Sequence, residues 1–341
     1  MTEGLEIFWY LVVGIAMIAY TVLDGFDLGV GIMHPFAKTD QERRMFLNAI
    51  GPVWDGNEVW FVIVGGALFA GFPEVYATTF SGFYTICMCL IAGLIFRAAA
   101  IEFRSQKHSA AWRTTWDMVF AFASLAIAFI LGLTLGNLVE GIPLDENHVL
   151  QTASFSSLRP YPILVGIMSV SLFAMHGAIY LVMKTEGALQ AKLMKWTKKA
   201  IVSFIFWYGV TTWATFIYMP HMVARMREKP YLFLFGVLAL LAILNIMREE
   251  RRRHFGYAFI SSCIGIALFV ALFGIGTYPV LVRSTLHPVN YSLTIFNSSS
   301  SVLTLQVLLI IVIIGIPLVL AYGFWVYRIF RGKVKLDDHS Y

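Results

Sequence analysis

The chain has 341 residues, of which 59% are hydrophobic and only 13% charged, and its mean hydropathy is +0.74. A soluble domain carries about twice that charged fraction, so a soluble enzyme or a nucleic-acid-binding module is excluded and a polytopic membrane protein is indicated. The formal charge of +5 matters less than where Lys and Arg fall, and the three cysteines, Cys87, Cys89 and Cys263, lie in apolar runs and imply no disulfide framework.

At about 20 apolar residues per crossing, the sequence predicts nine helical spans. They lie at 7–33, 50–71, 75–97, 116–138, 162–184, 198–219, 231–247, 256–280 and 303–328. The first run is too long for the apolar core of a cleavable signal peptide. Charged or turn-rich stretches separate the spans, and Gly71-Phe72-Pro73-Glu74 predicts a tight turn between the second and third. Gly29-Val30-Gly31 and Gly65-Gly66 predict close helix approach, and the serines 298–301 predict a cap for the last helix. With the N-terminus outside and the C-terminus cytoplasmic, all 25 Lys and Arg residues except Arg159, Arg225, Arg227, Lys229 and Arg283 fall on the inner side. That asymmetry is the one expected of cytoplasmic loops.

Trp54-Asp55-Gly56-Asn57-Glu58-Val59-Trp60 opens the second span with two acids and two indoles. A carboxylate in a bilayer is costly, so intramembrane acids call for a functional reading. Asp55 and Glu58, three apart, are predicted to share a helix face, just inside the inner leaflet. Asp24 and Asp27 lie in the inner half of the first span, Asp24 about 14 Å from its end at helical rise. Arg97, Glu102 and Arg104 leave the third span, and Arg113 and Asp117 enter the fourth. Buried acids can exchange protons near neutrality, which makes Asp24, Asp27, Asp55 and Glu58 candidates for a proton path. The competing reading is a static ion-pair lock with Arg97, Arg104 or Arg113. A proton-coupled transporter using Asp24, Asp27 and Asp55 is a further alternative, although transporter sites favour broken helices and the midplane.

Of eight histidines only His176 is near the middle of a span, and it reads as a hydrogen-bonded interior residue rather than a haem ligand. Cys87 and Cys89 point to nearly opposite sides of a helix, and no cluster has metal-ligand spacing. Trp9, Trp54, Trp60, Trp112 and Trp116 suit an interfacial aromatic belt. Arg251-Arg252-Arg253 reads as a topogenic or lipid-headgroup patch.

Several stretches together resemble subunit II of the cytochrome bd-type quinol oxidases. They include Asp24-Gly25-Phe26-Asp27-Leu28-Gly29-Val30-Gly31, Thr39-Asp40-Gln41-Glu42-Arg43-Arg44 and the Trp54–Trp60 motif. Gly65-Gly66-Ala67-Leu68-Phe69-Ala70, Phe96-Arg97, Phe103-Arg104-Ser105 and Gly136-Asn137-Leu138 follow in order, and the likeness runs nearly end to end, densest before residue 140.

The resemblance implies an all-α integral membrane subunit of nine helices, two four-helix bundles plus a peripheral helix, with 1–140 as the first bundle and 141–341 as the remainder. It implies a terminal oxidase of prokaryotic cytoplasmic membranes that oxidises quinol and reduces dioxygen to water. Subunit I, the heterodimer partner, would bind two haems b and one haem d, and this chain would bind no metal. A small single-helix accessory subunit, membrane lipids, and a quinone or lipid in a lateral cleft belong to the same expectation; nucleic acid does not. Asp55 matches the family's buried aspartate in a cytoplasmic proton path at the subunit interface. Glu102 and Tyr341 match positions near its entrance. Trp60, beside Trp54, matches a residue near an oxygen access route. Glu58 stands where some relatives have Gln, and Gln106 where some have Lys, so the entrance wiring departs from theirs. The compact length is similar to that of the cyanide-insensitive branch.

Overall fold

The computed structural model describes residues 2–151 and 156–336. Twelve α-helices, three short 3-10 helices and one two-stranded sheet are found among the described residues. The helices are α1 (Thr2–Met33), α2 (Asp40–Ile50), α3 (Trp54–Gly71), α4 (Pro73–Gly82), α5 (Tyr84–Phe103), α6 (Ala110–Glu140), α7 (Pro160–Lys184), α8 (Gly187–Tyr218), α9 (His221–Glu228), α10 (Phe233–Arg251), α11 (Phe255–Thr277) and α12 (Val302–Ile329). Eight spans are long and apolar enough to cross a membrane, or nine when the bent pair α3–α4 counts as one. A helix satisfies its own backbone hydrogen bonds, which is why apolar length alone locates these elements.

Several helices run beyond their predicted bounds, α8 starting at Gly187 rather than 198, and one boundary differs in kind. The chain does not turn at Gly71–Glu74 straight into the third span. It bends by 118° into the short α4, and the crossing helix begins only at Tyr84. Pro73 at the first position of α4 lacks the N–H that would continue α3, so the break falls there. The amphipathic α2 and α9 were too short to register as spans. Thr39 caps α2, its Oγ1 accepting from the Glu42 N–H at 3.1 Å, while the Glu42 carboxylate accepts from the Lys38 N–H at 2.7 Å. Ser301 caps α12, accepting from the Thr304 N–H, as the serine run suggested.

α1 and α7 form the middle of the bundle: α1 packs on α3, α6, α7 and α11, and α7 on α6 and α8. Their closest approach is Gly29 against Gly177, where a Cβ on Gly29 would sit 2.7 Å from the Gly177 nitrogen. Gly132 and Gly136 let α6 approach α7 in the same way. Gly65 and Gly66, expected to do likewise, face open space within the chain, so they bring no helix of this chain close. Beyond the helices, β1 (Val280–Val282) pairs antiparallel with β2 (Leu293–Thr294), and Ile142 bridges to Ser284. These contacts bind the α6–α7 and α11–α12 connections into one cap. α12 is peripheral. Leu303, Ile310, Ile314 and Leu318 are all exposed along it. It is tied down by the Trp9 indole N–H donating to the Leu305 carbonyl and by the Ser300 hydroxyl donating to that of Ala70. At the other end, Lys333 donates to the carbonyls of Met183 and Thr185.

Candidate functional site

Asp24 and Asp27 stand three apart on the face of α1 that meets α3, and both are fully buried. Arg97 of α5, also buried, lies between α1 and α3. One of its terminal nitrogens is 2.7 Å from Asp24 Oδ1, and the other donates to Glu58 Oε1 at 2.7 Å. Two acids from two helices thus share one guanidinium. Asp24 Oδ1 meets Arg97 at ion-pair distance but without hydrogen-bond alignment, so that contact is Coulombic in character. Arg97, one of the arginines named for an ion-pair lock, reaches Asp24 from within a span and not from a loop.

Asp27 has a different environment. The Asn57 amide donates to its Oδ2 at 2.7 Å, and the Tyr327 hydroxyl of α12 donates to Asn57 Oδ1 at 2.8 Å. Its other oxygen has no hydrogen-bond partner. Asn57 and Tyr327 were not singled out from sequence. Asn57 carried a signal as the polar residue between Gly56 and Glu58; Tyr327 carried none.

Asp55 and Glu58 do not share an environment, although their spacing predicts one. Asn57 faces α1, and at 3.6 residues per turn Asp55 then points about 160° away from it. Asp55 is exposed and, among the described residues, makes no hydrogen bond or ion pair, whereas Glu58 turns inward to Arg97. In this chain by itself Asp55 is therefore not buried. Tyr322 of α12 packs over Gly56 beside it.

The indoles are also placed differently from the aromatic belt predicted for them. Trp54 is buried with Val53 and Ile50, Trp60 packs on Ala16 and Tyr20, and Trp9 lies in a third apolar cluster. All three are core residues, Trp60 because it lies on the face of α3 that meets α1. Glu102 is exposed at the end of α5, outside the Arg97 pairings. Tyr341 lies outside the described residues.

A second charged cluster was visible in sequence only as alternating acids and bases at four helix ends. Asp117 at the start of α6 accepts from Arg104 Nε at 2.6 Å and from Arg43 at 3.0 Å, and His34 Nε2 is 2.6 Å from its Oδ1. Arg104 continues to Asp40, which also holds Arg113. The ends of α1, α2, α5 and α6 are joined by this network. Every acid in it has a cation, so it reads as a clasp.

His176 donates from Nε2 to the Val22 carbonyl at 3.0 Å, and its Nδ1 is 2.7 Å from Ser262 Oγ. Both ring nitrogens are engaged, so neither offers a lone pair to iron without breaking a bond. A cavity of about 420 Å³ opens between α1, α6, α7, α8, α9, α10 and α11; its polar groups are hydroxyls, among them Tyr161, Ser169, Thr211 and Thr215, and no histidine lines it. Among the described residues no group of three His, Cys, Asp or Glu is placed to hold a metal ion.

Residues 5–330 match the family model described as cytochrome bd terminal oxidase subunit II. The chain is 32% identical to cytochrome bd-I ubiquinol oxidase subunit 2 of Escherichia coli, covering 98% of this chain and 97% of that protein. It is 33% identical to cytochrome bd ubiquinol oxidase subunit 2 of Bacillus subtilis, over 96% of each. Its fold superposes on the bd oxidase structure from Geobacillus thermodenitrificans with a TM-score of 0.79 at 19% identity, covering 97% of this chain and 99% of that one.

Proposed function

The chain belongs to the cytochrome bd terminal oxidase subunit II family and is a multi-pass membrane subunit of a terminal quinol oxidase, and from that premise we propose that it is the haem-free partner that carries a proton path. The complex contains haem and a subunit 1, and oxidises quinol. In our reading subunit 1 holds all the haems, two b-type and one d-type, and this chain packs against it in a bacterial cytoplasmic membrane with its N-terminus outside. The engaged nitrogens of His176 and the histidine-free cavity support that division. The largely apolar lining of the cavity would suit a quinone or lipid tail, with the hydroxyls of Tyr161 and Thr215, 2.9 Å apart, among its polar groups.

The observation that carries the proton path is Asp55. A carboxylate with no counter-charge on the open side of a membrane helix is unfavourable toward lipid, and it is accounted for if subunit 1 covers it. Protons consumed in forming water would then pass Asp55 along the interface, entering near Glu102 and the C-terminal Tyr341. Trp54 and Trp60 would back the interface from the core side. Asp24 and Glu58 hold Arg97 as its counter-charges and so shape the field along the route. The carboxylates accept and release protons, while the haems of the other subunit supply the electron transfer to dioxygen. Residues 1–140 form the acidic half of this arrangement and 141–341 the supporting half.

Asp55→Asn is expected to lower quinol-driven oxygen consumption by about tenfold or more, the order of a lost proton-transfer group, while the haem content of the purified complex stays normal. Unchanged turnover would remove Asp55 from the path. His176→Gln is expected to leave the visible haem spectrum intact and to lower thermal stability by about 1–2 kcal/mol through a weakened buried hydrogen bond. A missing haem band in that variant would instead place a haem in this chain.

A further inference from the structure

We infer that Asp27 is a neutral, proton-bearing carboxylic acid in the folded chain, held in place by an Asn57–Tyr327 relay, and that it is the proton-holding site of this subunit. The inference rests on the proton-path reading for its use in turnover but not for its existence. It starts from a charge count. Asp24, Glu58 and Arg97 already place two acids on one buried guanidinium. An ionised Asp27 would add a third negative charge with no cation of its own, since no Lys, Arg or His nitrogen among the described residues lies within ion-pair reach of it. Isolated buried charges of this kind cost many kcal/mol and are relieved by taking up a proton.

The hydrogen bonds agree with a neutral acid. Asp27 is fully buried and receives a single neutral donor, the Asn57 amide on Oδ2. A buried carboxylate normally gathers two or three donors or a cation. Oδ1 has no partner, which leaves it the oxygen that bears the proton. The groups that face Asp27 from the surrounding helices are Asp24 of α1, Asn57 and Glu58 of α3, Arg97 of α5, Tyr180 of α7 and Tyr327 of α12. The only cation among them is the shared Arg97, and the others are neutral or acidic.

Asn57 cannot flip. Its Nδ2 donates to Asp27 and lies 3.3 Å from the Leu23 carbonyl, and its Oδ1 takes the Tyr327 hydroxyl. A flipped amide would set its oxygen against the Leu23 carbonyl, acceptor facing acceptor. The amide nitrogen is thereby kept on Oδ2 of Asp27, with Tyr327 bracing its oxygen, and Oδ1 is left to carry the proton. Asn57 and Tyr327 are positioning residues, and through them α12 reports its seating on α3 to a buried acid of α1.

The test is infrared absorption of the whole oxidase in an ester-free maltoside detergent, read in the carboxylic-acid C=O region in H2O and D2O. Asp27→Asn is expected to remove one such band while the haem complement is retained, because a neutral amide replaces a neutral acid of the same shape. Tyr327→Phe is expected to keep that band but shift its frequency. If the Asp27→Asn spectrum keeps every acid band, the inference is overturned. Should that variant fail to assemble, Tyr327→Phe decides alone: a shifted band supports the inference and an unmoved spectrum defeats it. Loss of the band with unchanged oxygen turnover would leave the neutral acid in place and refute only its part in the proton path.

Discussion

Replacing Arg97 by glutamine is expected to prevent recovery of an intact oxidase, with little or no haem-bearing subunit co-purifying with the variant chain. The guanidinium is 1% exposed and is the shared counter-charge of Asp24 and Glu58. Removing one partner of a buried ion pair costs about 3–5 kcal/mol, because the charge left behind keeps its desolvation penalty and loses its attraction. Here two acids are left. That loss is comparable with the whole stability of a typical domain, about 5–15 kcal/mol. Glutamine restores a donor but no charge, so it cannot compensate. Adding Glu58→Gln to Arg97→Gln removes one orphaned acid, and partial recovery of assembled complex is expected. An Arg97→Gln oxidase with wild-type yield and melting temperature would show that the triad contributes nothing to the fold.

Gly177→Ala is expected to be nearly as damaging although it adds a single methyl group and changes no charge. A Cβ on Gly177 would run into the Gly29 carbonyl carbon and the Val30 nitrogen of α1. Side-chain overpacking costs about 1–3 kcal/mol because rotamers can yield. Both partners here are helix backbone, so the helices themselves must separate, and the cost falls at or above the upper end of that range. Alanine regains up to about 1 kcal/mol of helix propensity over glycine, which is too little to offset the separation. The displacement would also move Asp24 and Asp27, which lie within two turns of Gly29 on the same helix. The measurement is the thermal melt of the detergent-solubilised complex alongside Gly65→Ala, at a glycine with open space around it, which should melt like the wild type. Equal melts for the two variants would defeat the packing argument.

The membrane class, the number of spans and the asymmetry of the charges were legible from the residues because each depends on one helix at a time. A helix that meets its own hydrogen bonds needs only apolar length to be recognised. The motif around Trp54 was legible as a place of consequence for the same reason, since an acid in such a run is costly wherever its neighbours lie. The acids of α1 and the arginine of α5 could be enumerated but not paired. Asp24 and Arg97 are 73 positions apart, and spacing rules stop at the end of a helix. The rotation of each helix about its own axis was equally out of reach. Asp55 and Glu58 divide between open surface and core because Asn57 claims the face toward α1. Trp60 is core, not belt, for the same cause.

What the sequence by itself determined is therefore the inventory: a helical membrane subunit of the bd oxidase kind, with more acids than its interior can neutralise. What only the tertiary structure decided is the assignment of those acids, with Asp24 and Glu58 on Arg97, Asp27 on Asn57, and Asp55 on none. The physical reason is that charge pairing follows the azimuth and depth of neighbouring helices. Those are set by backbone contacts such as Gly29 on Gly177, which join residues that no local pattern connects.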